Sequence, residues 1–194
     1  MEWLSVEENV DYLPYIYKER SSIVQELRSV KEKLEALYGV ADVVLAGGAP
    51  RDWLHGMQAR DFDMFYYLED IPIEQPVLDD HLGVYPVGDE YSYEGNKDIA
   101  TVHEYRREYK KVQLVRCTRP PLKVVENFPI NLSQVWMDCT GKINASSLFK
   151  HGMNSKTIQA LVPDVKWSYV SKILPRYSEY AYIPHGWRDE NESE

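Results

Sequence analysis

The sequence predicts an α/β protein (α+β in the strict sense), one compact unit with a helix in front and a short helical region behind. Three observations carry this. Residues 19–38 place Ile23, Leu27, Val30, Leu34 and Leu37 at intervals of three and four, the spacing of one helix face. Residues 42–66 read as apolar strand, two-glycine turn, short helix and second apolar strand. Beyond residue 98, short alternating apolar runs give way to helical patterns punctuated by Pro163 and Pro175.

Each element follows from local chemistry. Gly39 stands where the first helix should stop. Val43, Val44, Leu45 and Ala46 form an apolar strand that runs into Gly47-Gly48. Pro50 suits a first helical turn, where its missing N–H costs nothing, and the helix through about Leu54 ends near Gly56. The next strand carries Asp61-Phe62-Asp63-Met64-Phe65-Tyr66. After Leu68 the pattern is loop-like, with a brief helix at 77–82 and turns with short edge strands over 83–98. Strands are expected at 99–105 and 110–116, the second broken by Thr118-Arg119-Pro120-Pro121. A helix over 121–127, a last strand over Leu132–Met137 and a turn at 139–142 follow. Helices are expected at 145–152, 154–161 and 166–181. The organisation is thus an N-terminal helical segment (1–40) packed on a core (41–140), a helical region (141–187) and a frayed polar tail (188–194).

Composition excludes several classes. With 44% hydrophobic residues the chain is globular rather than disordered. No apolar run approaches the ~20 residues of a membrane helix, and the acidic start Met1-Glu2-Trp3-Leu4 lacks the basic opening of a signal peptide. A cytoplasmic location with no membrane partner is expected. Cys117 and Cys139 read as reduced thiols, without metal-ligand spacing. The net charge of −9, from 31 acidic and 22 basic residues, argues against broad nucleic-acid binding. The densest basic cluster, Tyr105-Arg106-Arg107-Glu108-Tyr109-Lys110-Lys111, reads first as a solvated strand face and alternatively as a polyphosphate or nucleic-acid contact. The five histidines are scattered, and Walker, Gly-x-Gly-x-x-Gly and Gly-x-Ser-x-Gly patterns are absent.

The chemistry concentrates in one stretch. Residues i and i+2 of a strand share a face, so Asp61 and Asp63 point together while Phe62 and Met64 point into a core. Paired carboxylates aimed at one spot suit a hard divalent ion, which keeps waters or phosphates in its other positions. Gly47 and Gly48 would let backbone amides approach a phosphate nearby.

This pattern resembles the nucleotidyltransferase superfamily typified by DNA polymerase β, and most of all the head domain of CCA-adding enzymes and bacterial poly(A) polymerases. The matching residues are Gly47, Gly48, Arg51, Asp52, Gly56, Asp61 and Asp63; the resemblance covers about residues 41–68 and weakens downstream. It implies a small mixed nucleotidyltransferase sheet flanked by helices. It also implies attack of a hydroxyl on the α-phosphate of a nucleoside triphosphate with release of pyrophosphate. Asp61 and Asp63 would then be catalytic residues holding Mg2+ (or Mn2+), and Gly47, Gly48, Arg51 and Asp52 would form the nucleotide-binding turn. Within that turn Arg51 would contact phosphate and Asp52 would orient a neighbour.

This sequence departs from the family in two places. Gln113 aligns with the superfamily's third carboxylate, and Glu104 and Asp138 are the substitutes that strand position offers. The Arg-Arg-Asp segment expected after the catalytic strands is replaced by Asn127-Phe128-Pro129-Ile130-Asn131-Leu132-Ser133, and the region beyond Asp138 is too short for tRNA-gripping domains. Bulk tRNA is therefore not the expected acceptor; a protein, a small molecule or a short RNA is. The reduced layout is similar to short standalone nucleotidyltransferase-like proteins of bacteriophages. The competing reading is a catalytically degenerate relative that binds a nucleotide or protein as a regulatory or inhibitory module.

Overall fold

Apolar strands with buried residues on both faces need cover on both faces, and the protein supplies it unequally. The computed structural model describes residues 1–6, 13–39, 42–69, 85–86, 97–107 and 110–187. Its strands are β1 (Trp3–Ser5), β2 (Asp42–Ala46), β3 (Asp61–Tyr67), β4 (Tyr85–Pro86), β5 (Ile99–Arg107), β6 (Lys110–Cys117), β7 (Val135–Met137), β8 (Ile143–Ser146), β9 (Thr157–Gln159) and β10 (Ala181–Ile183). The helices are α1 (Pro14–Tyr38), α2 (Gly48–Leu54), α3 (Pro121–Val125), α4 (Ser147–Ser155) and α5 (Trp167–Ile173).

The main sheet has eight strands in the order β1-β8-β7-β2-β3-β6-β5-β4. It is mixed: β3 and β6 run parallel, with Asp63 beside Gln113, and the other pairings are antiparallel. One face carries Leu45, Phe62, Met64, Val112 and Leu114 against the buried stripe Ile16, Ile23, Leu27, Val30 and Leu34 of α1. Each such side chain removed from water stabilises the fold by about 1.5–3 kcal/mol. The opposite face carries Val44, Ala46, Phe65 and Val115 and is covered by Val124 and Val125 of α3. Glu19 joins the helix to the sheet. Its carboxylate accepts from Trp53 Nε1 at 2.7 Å and from the Ala59 amide at 3.0 Å, and it pairs with Lys110.

The elements that position the glycine turn and the aspartates fall where the sequence places them. Strand 42–46 and the helix ending at Leu54 are observed, and β5 and β6 extend the expected strands by two residues and one. Gly39 ends α1 with φ 89°. The differences lie at the ends. Helix α1 begins at Pro14, earlier than residue 19, because Pro14 opens its first turn and Ile16 joins the buried stripe. The expected strand Leu132–Met137 is a 3-10 turn at Asn131–Ser133 followed by β7. Buried Asn131 bends the chain there, its Oδ1 accepting from Leu132 N at 2.8 Å and Gln159 N at 2.9 Å.

Strand β7 is not the last: the turn at Asp138–Lys142 returns the chain as β8, whose Ile143 and Ala145 enter the core. Residue Ser146 then caps α4, its Oγ accepting from Phe149 N at 3.0 Å, so the helix expected at 145–152 is shifted. The expected helix 154–161 is instead the end of α4, a left-handed Lys156 and strand β9 paired with β10. The expected helix 166–181 is α5, a 3-10 turn at Leu174–Arg176 and an irregular segment. The short helix at 77–82, most of the turns at 83–98 and the tail 188–194 lie outside the described residues. Among the described residues no helix is long and apolar enough to cross a membrane.

Candidate active site

The β2-to-α2 turn and the start of β3 meet at one cleft of about 350 Å³. Asp61 and Asp63 both line it, while Phe62 and Met64 are buried on the other face, as the i, i+2 spacing requires. Gly47 (φ 77°) makes the turn, a conformation side chains rarely adopt. Its N–H donates to the Val135 carbonyl at 2.9 Å. The expectation that both glycine amides face a phosphate is therefore halved. Gly48 opens α2, where an amide has no acceptor within its own helix.

Gly48 is also where the site converges. A β-carbon there would stand 3.7 Å from Arg51 Nη2 and 3.8 Å from Asp61 Oδ1. A guanidinium and a carboxylate thus flank the space that the missing side chain leaves open. Arg51 is 6% exposed, yet it stays charged. Burial works against its charge, but Tyr177 and Asp52 beside it outweigh burial and hold it above its ordinary value. Asp52 is 2% exposed, and both of its oxygens are engaged. It accepts from Arg51 Nε (3.2 Å), the Tyr177 hydroxyl (2.6 Å) and Arg176 Nη2 (2.8 Å). Asp52 thus ties Arg51 to Tyr177 and Arg176.

Gln113 lies beside Asp63 on the parallel strand. With its amide oriented to satisfy both neighbours, it donates to Asp63 Oδ1 at 2.8 Å and accepts from Lys111 Nζ at 3.2 Å. Neither substitute carboxylate reaches the cleft. Glu104 lies on β5 and pairs with Lys111. The Asp138 Oδ1 is spent on its own turn, accepting from Thr140 N at 2.8 Å and Lys142 N at 3.0 Å. Within the basic cluster at 105–111, Lys110 pairs with Glu19, Lys111 with Glu104, and the Tyr105 hydroxyl donates to Glu26 Oε1 at 2.7 Å.

The cations of the cleft come instead from Arg51, Arg60, Lys166, Lys172 and Arg176, joined by Asp164. Sequence reasoning missed all of these except Arg51. Arg60 precedes Asp61 directly and could have been found; the rest arrive from more than a hundred residues away and form no local motif. Asn127, Phe128 and Pro129 also line the cleft, with Phe128 packed on Phe65 at 5.5 Å between centroids. Tyr169 also lines the cleft and shares a 2.7 Å hydrogen bond with Ser133 Oγ.

Several solved structures share this arrangement of elements. A CCA-adding enzyme in complex with CTP superposes with a TM-score of 0.59 at 12% identity, over 94% of this chain and 44% of that one. The Thermotoga maritima CCA-adding enzyme complexed with tRNA superposes at 0.62 and 11% identity, over 99% and 44%. This chain has the nucleotidyltransferase fold of the CCA-adding enzymes. A tRNA-processing enzyme in an apo form matches at 0.52 and 16% identity, over 80% and 45%. The chain therefore spans less than half the length of each of these proteins. No protein-family model and no curated protein matches its sequence.

The fold family implies a divalent metal, and the donor set bears on that. Among the described residues no three His, Cys, Asp or Glu side chains gather as a metal site. Asp61 and Asp63 are two carboxylates open to one cleft, and magnesium is commonly held by one or two carboxylates with waters and substrate phosphates. The residues fit that role and do not form an all-protein cage.

Proposed function

We propose that this nucleotidyltransferase-fold chain transfers a nucleoside monophosphate from a nucleoside triphosphate to a hydroxyl acceptor. The observation that carries the reading is the convergence of Asp61, Gly48 and Arg51 within one cleft that Asp63 also lines. Asp61 and Asp63 hold Mg2+ or Mn2+, which when bound neutralises phosphate charge. Gly48 leaves room for the phosphates, and Arg51 contacts their oxygens through its terminal nitrogens. The acceptor oxygen forms a bond to the α-phosphorus. The bond from that phosphorus to the bridging oxygen breaks, and pyrophosphate leaves with the electron pair. Gln113 carries no charge to receive the hydroxyl proton and Asp52 is buried in its pairing with two arginines, so the proton passes to Asp61, Asp63, Asp164 or water.

The acceptor is a protein, a small molecule or a short RNA rather than bulk tRNA. The net charge is −9, and the two lysines of the one basic cluster legible in the sequence, Lys110 and Lys111, are paired with Glu19 of α1 and Glu104 of β5. RNA affinity draws on several Lys and Arg contacts to phosphates. The cleft itself brings Arg60, Lys166 and Lys172, enough for a short anionic ligand.

The test is incubation with each labelled triphosphate and magnesium or manganese, offering total RNA, protein and the chain itself as acceptors. Label should transfer with wild type and not with Asp61→Asn. Absence of both transfer and metal-dependent triphosphate binding would overturn the proposal.

A further inference from the structure

The cleft chemistry leaves one group of residues unexplained. A buried charged network behind the glycine turn joins α2 to the segment after α5. Arg51 Nε donates to both Asp52 Oδ1 (3.2 Å) and the Tyr177 hydroxyl (3.0 Å). The Tyr177 hydroxyl in turn donates to Asp52 Oδ1 at 2.6 Å, and Arg176 Nη2 reaches Asp52 Oδ2 at 2.8 Å. The Arg51 guanidinium carbon lies 5.3 Å from the Tyr177 ring centroid. Arg51, Asp52 and Tyr177 are all under 9% exposed. Behind them, His55 is hydrogen-bonded to the Arg51 carbonyl and the Tyr180 hydroxyl, each at 2.7 Å.

Burying Arg51 and Asp52, with a partly buried Arg176 beside them, is costly unless the geometry is good, and replacing such groups with apolar ones often stabilises a fold. Stability alone is therefore a poor reason for this network. Its geometric effect is specific. The Nε edge of Arg51 is held by Asp52 and Tyr177, and the far end of the guanidinium is left over Gly48, with Nη2 3.7 Å from where a β-carbon would be.

We propose that Tyr177 and Arg176 are positioning residues: the C-terminal segment fixes Arg51 in the orientation that receives the triphosphate. The inference rests on the reading of Arg51 as a phosphate contact. It makes the nucleotide site bipartite, with the phosphate ligand on α2 and its orienting groups some 125 residues later, as the separations in the hydrogen bonds show. A flexible arginine would spend binding free energy on its own ordering; one already held spends less.

The experiment uses the full chain and two readouts. The first is hydrogen exchange at the Arg51 Nε–H, followed by NMR and assigned with Arg51→Lys. The second is calorimetric binding of inorganic tripolyphosphate in magnesium, which needs no choice of base. Tyr177→Phe keeps the ring and removes one hydroxyl; Arg176→Met, which also removes a cation lining the cleft, is read by Nε–H exchange alone, and thermal melts report folding in both. The expected result is faster Nε–H exchange and up to about tenfold weaker tripolyphosphate binding in Tyr177→Phe, the size of ordering one long side chain on binding. Unchanged Nε–H exchange overturns the positioning role whatever the binding shows. Faster exchange with unchanged affinity overturns the link to phosphate. If wild type itself binds no tripolyphosphate while its Nε–H is protected, the phosphate reading of the cleft has failed and the inference falls with it.

Discussion

Gly48→Ala separates a structural turn from a phosphate site. Unlike Gly47, Gly48 does not have the positive φ that strains other residues. Its new β-carbon would meet Arg51 Nη2 at 3.7 Å and Asp61 Oδ1 at 3.8 Å, ordinary van der Waals distances, and no backbone atom closer. The folded state is therefore unstrained. The substitution also removes conformational freedom from the unfolded chain, which stabilises by about 0.4–1 kcal/mol at compatible positions. The methyl occupies the gap between Arg51 and Asp61, where a phosphate oxygen must come to within about 2.7–2.9 Å of a guanidinium nitrogen. Loss of about 10- to 100-fold in magnesium-triphosphate affinity is expected, or about 1.4–2.8 kcal/mol. Urea denaturation and calorimetry with magnesium and ATP measure the two effects. A more stable protein with weaker binding is the expected pair. Unchanged binding would refute the path of the phosphate past Gly48, and destabilisation beyond about 1 kcal/mol would refute the clearance argued here.

Asp61→Asn and Asp63→Asn keep side-chain volume and remove one negative ligand; each should reduce metal-dependent triphosphate binding and abolish transfer while the melting temperature stays close to wild type, checked by calorimetry and thermal melts. Gly152→Ala should destabilise by about 1–3 kcal/mol or more, because its β-carbon would fall 2.2 Å from Asn131 Nδ2 and 2.9 Å from the Thr157 carbonyl; urea midpoints test this. Burial, with the nearby Arg51 and Lys156 charges, holds His55 below its ordinary value against the opposing Arg51 carbonyl. The unfolded chain therefore takes up the proton first. The stability that neutral His55 contributes is present above about pH 6.5 and is lost as pH falls below it. The stability gap between wild type and His55→Gln should shrink over that range, and a gap independent of pH would contradict it. Burial pushes the Cys117 thiol up to about 12. A disulfide reagent at pH 8 should modify half-buried Cys139 well ahead of Cys117 in the native protein, and equal rates would refute the burial argument.

What the sequence made legible is local. Asp42–Ala46, Gly47-Gly48, the short helix and the Asp61-Phe62-Asp63 strand are set by side chains two to four residues apart, so period and turn chemistry sufficed. After Met137 the same rules found the turn at 139–142 and the starts of two helices but missed the strands. Strands β8, β9 and β10 are only three or four residues long, too short to carry a period, and they exist because a partner strand satisfies their backbone. Asn131 shows the limit well. Nothing nearby announces that its amide will hold Leu132, Thr157 and Gln159 together.

The site divides the same way. Sequence alone determined the pair of carboxylates and the glycine beside them, because strand alternation fixes which residues share a face. It could not determine which cations enter the cleft. Lys110 and Lys111, the obvious candidates, are drawn to Glu19 and Glu104 by packing of α1 and β5 on β6. Lys166, Lys172 and Arg176 take their place because the C-terminal segment folds back over α2, and Arg60 joins them from the residue before β3. Charge in water is cheap to leave unpaired, so a basic run carries little information about its partners. Burial makes pairing obligatory, and burial is decided only when distant segments meet.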